Sequence, residues 1–445
     1  MQENNSPVYP SAAIAWTTVG ILSLTYMFSF LDRQILVLLI DPIKADLNIT
    51  DTGVSLLTGF AFAIVYTVMG IPMGRLADLW IRKYVIIIGV TIWSLLTVSC
   101  GFARNFTQLF LARMGVGVGE AALTPTAYAM IADLFPPNKL ARAMSIFVLG
   151  SAAGNAASLL AGGFVIGFAQ DIGTLSIPVF GEIRPWQLVL IVVGIASLLM
   201  VIPLSLTPEP KRHGKIKQID SSDPDHMSFR EVLHYMWSHK TFYGPYIGGI
   251  CLLALFMYGG LAWIPTYFIR IQGWDAAETG MRLGIIYLVP SIVGGLFAGW
   301  LTDHFFNKGH RGAPLYIMIT IAIILVPLVP FFIYVPVMSA KMVGLVSFYF
   351  CISMIAILFP TIIQMATPNQ IRSQVSAIIL FAINLVGIGF GPTSIALVTD
   401  YGFHDDLAIG HSIAIVGATV YGIGAVILFY AVKPFIRQST TIAEG

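Results

Sequence analysis

The sequence predicts an all-α integral membrane protein with twelve transmembrane helices in two pseudo-symmetric six-helix halves and both termini cytoplasmic. Three observations carry this. Of 445 residues, 57% are hydrophobic and only 10% are charged, with a mean hydropathy of +0.84; soluble domains carry roughly 25% charged residues. The apolar residues gather into runs of about 20, the length that crosses a hydrocarbon core. Landmarks of the first half also return, in order, in the second.

The spans fall at 14–38, 53–74, 84–102, 107–132, 142–167 and 187–206, then at 242–269, 281–302, 314–334, 341–365, 372–398 and 409–433. The opening MQENNSPVYPSAA lacks the positive n-region of a cleavable signal, so span one is expected to stay in the membrane. Sixteen Lys and Arg residues lie in connections on the side of the termini and six on the opposite side. Positive residues accumulate on the cytoplasmic side, which orients the chain. The two basic residues left over, Arg33 and Arg113, lie inside spans. A net charge of +2 without a basic cluster gives no reason to expect a nucleic-acid partner. Cys100, Cys251 and Cys351 lie far apart in apolar runs, as buried thiols do, and neither they nor the eight histidines show metal-ligand spacing.

The polar break TPEPKRHGKIKQIDSSDPDHMSF divides the chain into 1–206, a cytoplasmic linker 207–241 and 242–445. The linker ends in a short surface helix: Ser228 and Glu231 form a capping box, and Phe229, Val232, Leu233 and Met236 an apolar stripe. Such a helix lies in the membrane interface. The outer segment DIGTLSIPVFGEIRP is expected to make a small hairpin.

The repeat is specific. GRLAD at 74–78 recurs as GWLTD at 299–303, and Lys83 matches Lys308 at the same offset; PNKLAR before span five answers PNQIR before span eleven. Span four carries GVGVG at 115–119 and span eleven GIGFG at 387–391. Two six-helix halves related by duplication are a transporter architecture, with substrate expected near the midplane.

The segment GRLADLWIRK resembles the signature loop of the major facilitator superfamily, matching at Gly74, Leu76, Ala77, Asp78, Arg82 and Lys83 with Ile81 in place of the usual glycine. The resemblance implies a conformational latch built from Gly74, Asp78, Arg82, Lys83 and Arg142, in which Asp78 meets a helix terminus and basic neighbours. A carboxylate is favoured at a helix N-terminus. Arg113-x-x-x-Gly117 is similar to that superfamily's arginine motif in span four. FLDRQIL in span one and RMGVGVGEAALTPTAYAMIADLF in span four resemble the spinster branch, whose animal members are implied to export lysolipids and sphingoid phosphates. A bacterial homologue in the inner membrane, multi-pass and monomeric, is the expectation for this chain.

Intramembrane ionisable residues face a bundle interior or water and mark sites or pathways. Asp32 and Arg33 lie about 8 Å below the outer end of span one at 1.5 Å per residue. Arg113 lies at a similar depth on span four, with Glu120 about 10 Å deeper on the same face. Asp32 is expected to pair with Arg113, and Arg33, about 100° round the helix, to face elsewhere or swing inward. Glu120 has no basic residue within a turn of its own helix. A lone carboxyl in a poorly solvated site suits a proton carrier. Asp32 and Glu120 are thus candidates for proton coupling, and Arg33, Arg113 and Glu120 for substrate. The competing arrangement is a static network pinning span one to span four. Asn155, Gln364 and Asn384 could reach substrate, although interhelical hydrogen bonding suits them better.

Spans seven and ten are apolar and aromatic, without charge beyond Lys341 at an outer end. The resemblance implies that helices one, four, seven and ten line a central cavity, so a charged head facing one half and an apolar tail facing the other would suit an amphipathic, lipid-like substrate; a sugar fits this asymmetry poorly. The sequence holds no phosphate loop, so uphill transport would draw on a proton gradient, with no cofactor, catalytic residue or metal. Gly117-x-Gly119-x-x-Ala122 mimics a dinucleotide fingerprint, but no strand precedes it. Asn48-Ile-Thr50 and Asn105-Phe-Thr107 match the glycosylation pattern only by chance. The rival readings are a multidrug efflux antiporter of the same fold and a non-transporting membrane sensor.

Overall fold

The computed structural model describes residues 9–178, 181–212, 229–368 and 370–444. Residues 213–228 of the predicted linker, including Ser228 of the capping box, lie outside the described residues. Helices dominate. In chain order they are α1 (Ala12–Leu47), α2 (Asp51–Leu79), α3 (Arg82–Cys100), α4 (Phe106–Ala121), α5 (Leu123–Leu134), α6 (Pro137–Ile172) and α7 (Pro185–Leu206). After the short α8 (Phe229–Ser238) come α9 (Lys240–Gln272), α10 (Ala276–Asn307), α11 (Ala313–Tyr334), α12 (Met338–Ala366), α13 (Gln374–Phe403) and α14 (Asp406–Ile442). Ten of these described runs are long and apolar enough to cross a membrane.

Most helices outrun their predicted spans. Counting apolar residues finds only the stretch matched to hydrocarbon, whereas the polar headgroup region admits further turns at each end. The predicted fourth span is divided at Ala122 into α4 and α5. Pro125 explains the break, because it has no N–H to give the carbonyl four residues back and its ring crowds that turn. The predicted hairpin is present as β1 (Leu175–Ile177) and β2 (Gly181–Ile183), antiparallel with Ser176 opposite Glu182. Both sequon stretches serve as helix caps. The Thr50 hydroxyl accepts from Gly53 N–H at 3.2 Å to start α2, and the Asn105 carbonyl oxygen accepts from Gln108 N–H at 2.9 Å to start α4.

The chain divides into two compact units. The first comprises residues 1–49, 61–218 and 274–284. In it α1 packs along α6, and α3 along α4 and α7. The glycines of GVGVG are there for close approach. A Cβ on Gly119 would fall 2.6 Å from the Trp93 nitrogen, and one on Gly117 2.9 Å from the Phe62 carbonyl oxygen. The second unit comprises residues 50–60, 219–273 and 285–445, with α9 packed on α14 and α13, and α11 on α12 and α14. Its core is aromatic: Phe256, Tyr421, Phe348 and Trp263 are fully buried. In α8, Val232 and Met236 are buried while Phe229, Leu233 and Trp237 are exposed. All three cysteines are free and buried.

Candidate substrate and coupling site

Two helix irregularities position the charges. In α1 the regular helix ends at Gln34 and a tighter 3₁₀ stretch runs over Ile35–Leu39 before the helix resumes. Asp32 and Arg33 sit just before that change, and Glu120 just before the break at Ala122. Discontinuous membrane helices are where transporters build their sites, since loosened backbone is tolerated only where protein or a cavity surrounds it.

All four predicted charges come together inside the first unit. Arg33 reaches across to Glu120, giving hydrogen bonds from Nε at 2.7 Å and Nη2 at 2.5 Å to the same oxygen, Oε2. Its guanidinium carbon lies 4.5, 4.7 and 5.1 Å from the ring centres of Phe62, Tyr66 and Phe30. The rings supply a cation–π surface that a water-poor site otherwise lacks. Asp32 is fully buried, and its Oδ2 accepts from the Thr97 hydroxyl at 3.2 Å. Arg113 is buried beside Phe62, 5.7 Å from its ring centre, within electrostatic reach of both Asp32 and Glu120.

The pairing therefore differs from the expected one. Arg33, not Arg113, meets an acid, and Glu120 is not a lone carboxyl. Helical phase suggested the reverse, but an Arg side chain spans more than a helical turn, and the aromatic cradle draws it to the α4 side. Asp32 and Arg113 make no ion pair among the described residues. On these four side chains, four buried polar atoms have no hydrogen-bond partner: Asp32 Oδ1, Glu120 Oε1, and Nε and Nη2 of Arg113. Buried polar groups in native proteins are overwhelmingly satisfied, which makes this half-satisfied charged cluster a candidate binding site. Asn155 accepts from the Gln34 amide at 3.0 Å, an interhelical bond of the expected kind.

The loop residues form a second constellation in the same unit. The Arg82 side chain gives a hydrogen bond to the Ala129 carbonyl at 3.0 Å and pairs with Asp133. Lys83 Nζ bonds the Ser205 carbonyl at 2.5 Å. The carboxylate at the N-terminus of α3 belongs to Glu209, which accepts from the backbone N–H of Arg82 at 3.0 Å and of Lys83 at 2.9 Å. Asp78 is exposed, and its carbonyl, with that of Trp80, accepts from Arg212. Gly74 has only Pro125 near its would-be Cβ, at 3.9 Å, and Arg142 lies over the Trp16 ring at 5.6 Å.

Residue spacing did not reveal a third group, inside the second unit. Arg270 grips Asp51 through two bonds, 2.6 and 2.8 Å long. Asp400 accepts from the Thr52 N–H at 2.6 Å, and carboxylate oxygens of Asp51, Asp400 and Asp406 all lie within 4.8 Å of one another. The guanidinium already supplies the cation that this cluster calls for. Separations of more than two hundred residues hide it from any local pattern. Phe62 and Tyr66 left a weak signal, being one turn apart on span two. Glu209 is a lone acid between two prolines and left none.

The family model for the Major Facilitator Superfamily matches residues 22–392. The chain belongs to that superfamily. An MFS-type efflux pump of Mycolicibacterium smegmatis is 28% identical over 95% of this chain and 94% of that protein. Spinster homolog 1 of Xenopus tropicalis is 26% identical over 67% of this chain and 56% of that protein. A crystal structure of a bacterial homolog of the human lysosomal transporter spinster, inward-facing and unoccupied, superposes with a TM-score of 0.77 at 24% identity, covering 98% and 99% of the two chains. This facilitator is thus a multi-pass, all-helical membrane transporter resembling the spinster type, and not an enzyme.

Proposed function

We propose that this facilitator is a proton-coupled secondary transporter of an amphipathic, lipid-like molecule with a charged head, of lysolipid or sphingoid type. It crosses a bacterial plasma membrane twelve times as a monomer with both termini cytoplasmic, and works by alternating access without a cofactor. One observation carries the reading: a buried cluster of two acids and two arginines, set at two helix irregularities, in which four polar atoms lack partners. A headgroup phosphate would satisfy the free nitrogens of Arg113 and compete for Arg33. Releasing Arg33 would leave Glu120 to take a proton, so that substrate and proton are taken up together on one cluster. Asp32, hydrogen-bonded through one oxygen only, is the second proton carrier. Gly74, Asp78, Arg82, Lys83 and Arg142 set the conformational equilibrium rather than touch substrate.

A second reading, efflux of amphipathic drugs, is favoured by the efflux-pump relative that spans nearly the whole chain. One experiment separates them. Purified protein in liposomes is offered a panel of lysolipids, sphingoid phosphates and lipophilic cations, with and without an imposed pH gradient. Gradient-dependent accumulation of anionic lysolipids supports the proposal. Transport confined to the cations establishes the second reading, and flux indifferent to the gradient removes proton coupling.

A further inference from the structure

The second unit holds a cavity of about 650 Å³ far in sequence from the charged cluster, walled by α8, the first turn of α9 and the last turns of α14. We propose that it binds the phosphate of an anionic phospholipid drawn from the adjoining leaflet. Lys433 and Arg437 stand one turn apart on α14 and both face this space. Like charges four residues apart repel, and no carboxylate is found among the described residues lining the cavity. An anion supplied from outside is what would offset them. The opposite wall offers the Thr241 hydroxyl as a donor, beside His239 and a Ser238 hydroxyl that is given to the Tyr235 carbonyl. The imidazole Nδ1 of His239 lies 3.0 Å from the Tyr235 carbonyl, which fixes the ring in this wall. The Gln438 amide donates to the Tyr235 hydroxyl at 3.1 Å and ties α8 to α14, so the donor set is fixed in place.

The surroundings say why the phosphate should arrive on a lipid. Phe229, Leu233 and Trp237 of α8 are exposed, at 61, 44 and 70%, on a helix whose other face is buried. Large apolar side chains on a short amphipathic helix place it at the headgroup–acyl boundary. Lys240 lies 5.2 Å over the Trp237 ring, the aromatic-and-basic pairing of a membrane interface. One turn from Lys433, the exposed Phe429 and Tyr430 offer α14 surface along which acyl chains would run. Basic pockets between membrane helices at this level recognise anionic headgroups. The site needs only the bilayer that the fold already implies, not the cargo proposed above.

The test is lipid retention by the full-length protein. Detergent-solubilised protein is equilibrated with equal amounts of phosphatidylglycerol and phosphatidylcholine, and bound lipid is read by native mass spectrometry. Wild type should retain phosphatidylglycerol preferentially. Lys433→Gln/Arg437→Gln should lose that preference roughly 30-fold, at about fivefold for each cation near a lipid surface. The charge-preserving Lys433→Arg/Arg437→Lys should keep most of it, and single Arg437→Gln, at an exposed position, gives an intermediate loss should the double variant fold poorly. In a parallel arm, inorganic phosphate is added in place of the anionic lipid. Equal retention of the two lipids by wild type, or an unchanged preference in the glutamine variants, would overturn the proposal. So would inorganic phosphate displacing phosphatidylglycerol at comparable concentration, which would make the ligand a soluble anion.

Discussion

Arg33 illustrates how much one side chain carries at the residue scale. It is the described ion-pair partner of Glu120, and it lies among three rings that hold it whether or not the acid is charged. Removing it strands a fully buried carboxylate, and breaking a buried pair from one side costs about 3–5 kcal/mol. Arg33→Ala should therefore lower thermal stability markedly. Arg33→Ala/Glu120→Gln should recover much of the loss because no charge is left unmatched. Thermal unfolding of the single and double variants, followed by tryptophan fluorescence, checks this; a double variant no more stable than the single would show that the rings and not the acid matter. Arg113 behaves differently. It makes no ion pair among the described residues, so Arg113→Gln, which keeps most of the buried volume, should cost less stability than Arg33→Ala while weakening an anionic lysolipid about tenfold or more, in line with a charge-assisted hydrogen bond. Equilibrium binding to detergent-solubilised protein decides it, and unchanged affinity would assign Arg113 to structure.

At the scale of elements, the acid cluster around Arg270 joins the start of α2 to the ends of α9 and α13 and the start of α14. Its bidentate grip on Asp51 depends on the planar fork of a guanidinium, which an ammonium cannot reproduce. Arg270→Lys should thus fall well short of wild-type stability, and Arg270→Ala further still, by about 3–5 kcal/mol. Chemical denaturation in detergent gives the measurement, and full rescue by lysine would reduce the contact to simple charge pairing. Most of the helical architecture was legible in the sequence, and the reason is elementary. Hydrocarbon forces every spanning helix to declare itself by twenty apolar residues, and the few charges inside spans stand out against them. Asp32, Arg33, Arg113 and Glu120 were found in this way. Their pairing was not, since phase on an ideal helix gives no weight to the reach of Arg33 or to the Phe62 and Tyr66 rings that cradle it. Polar partners supplied from afar were equally hidden: Glu209 caps α3 across more than 120 residues and Asp400 bonds Thr52 across more than 340. The proline break in span four was readable in Pro125, but apolar counting passes over it.

For the whole molecule, coupling is the property that local contacts must explain. A carrier returns across the membrane either loaded or unloaded, and coupling exists only if some of those returns are forbidden by an unbalanced charge. Under the proposed function the balance would rest with two acids and two arginines inside one unit, two of whose nitrogens have no hydrogen-bond partner. Neutralising one acid alters which loaded states are permitted without removing the arginines that would bind the headgroup. Asp32→Asn keeps the shape of the side chain and the Thr97 contact, so it should fold and bind as wild type does. It should nonetheless lose concentrative, gradient-driven accumulation while retaining exchange of labelled for unlabelled substrate across the same liposome membrane. Glu120→Gln should show the same split together with a gain in affinity, because Arg33, released from its acid, becomes available to the anionic head. The decisive measurement is the pair of assays on one preparation, driven accumulation and counterflow. Loss of both would place Asp32 in substrate binding or folding instead, and retention of both in each variant would remove the cluster from proton coupling.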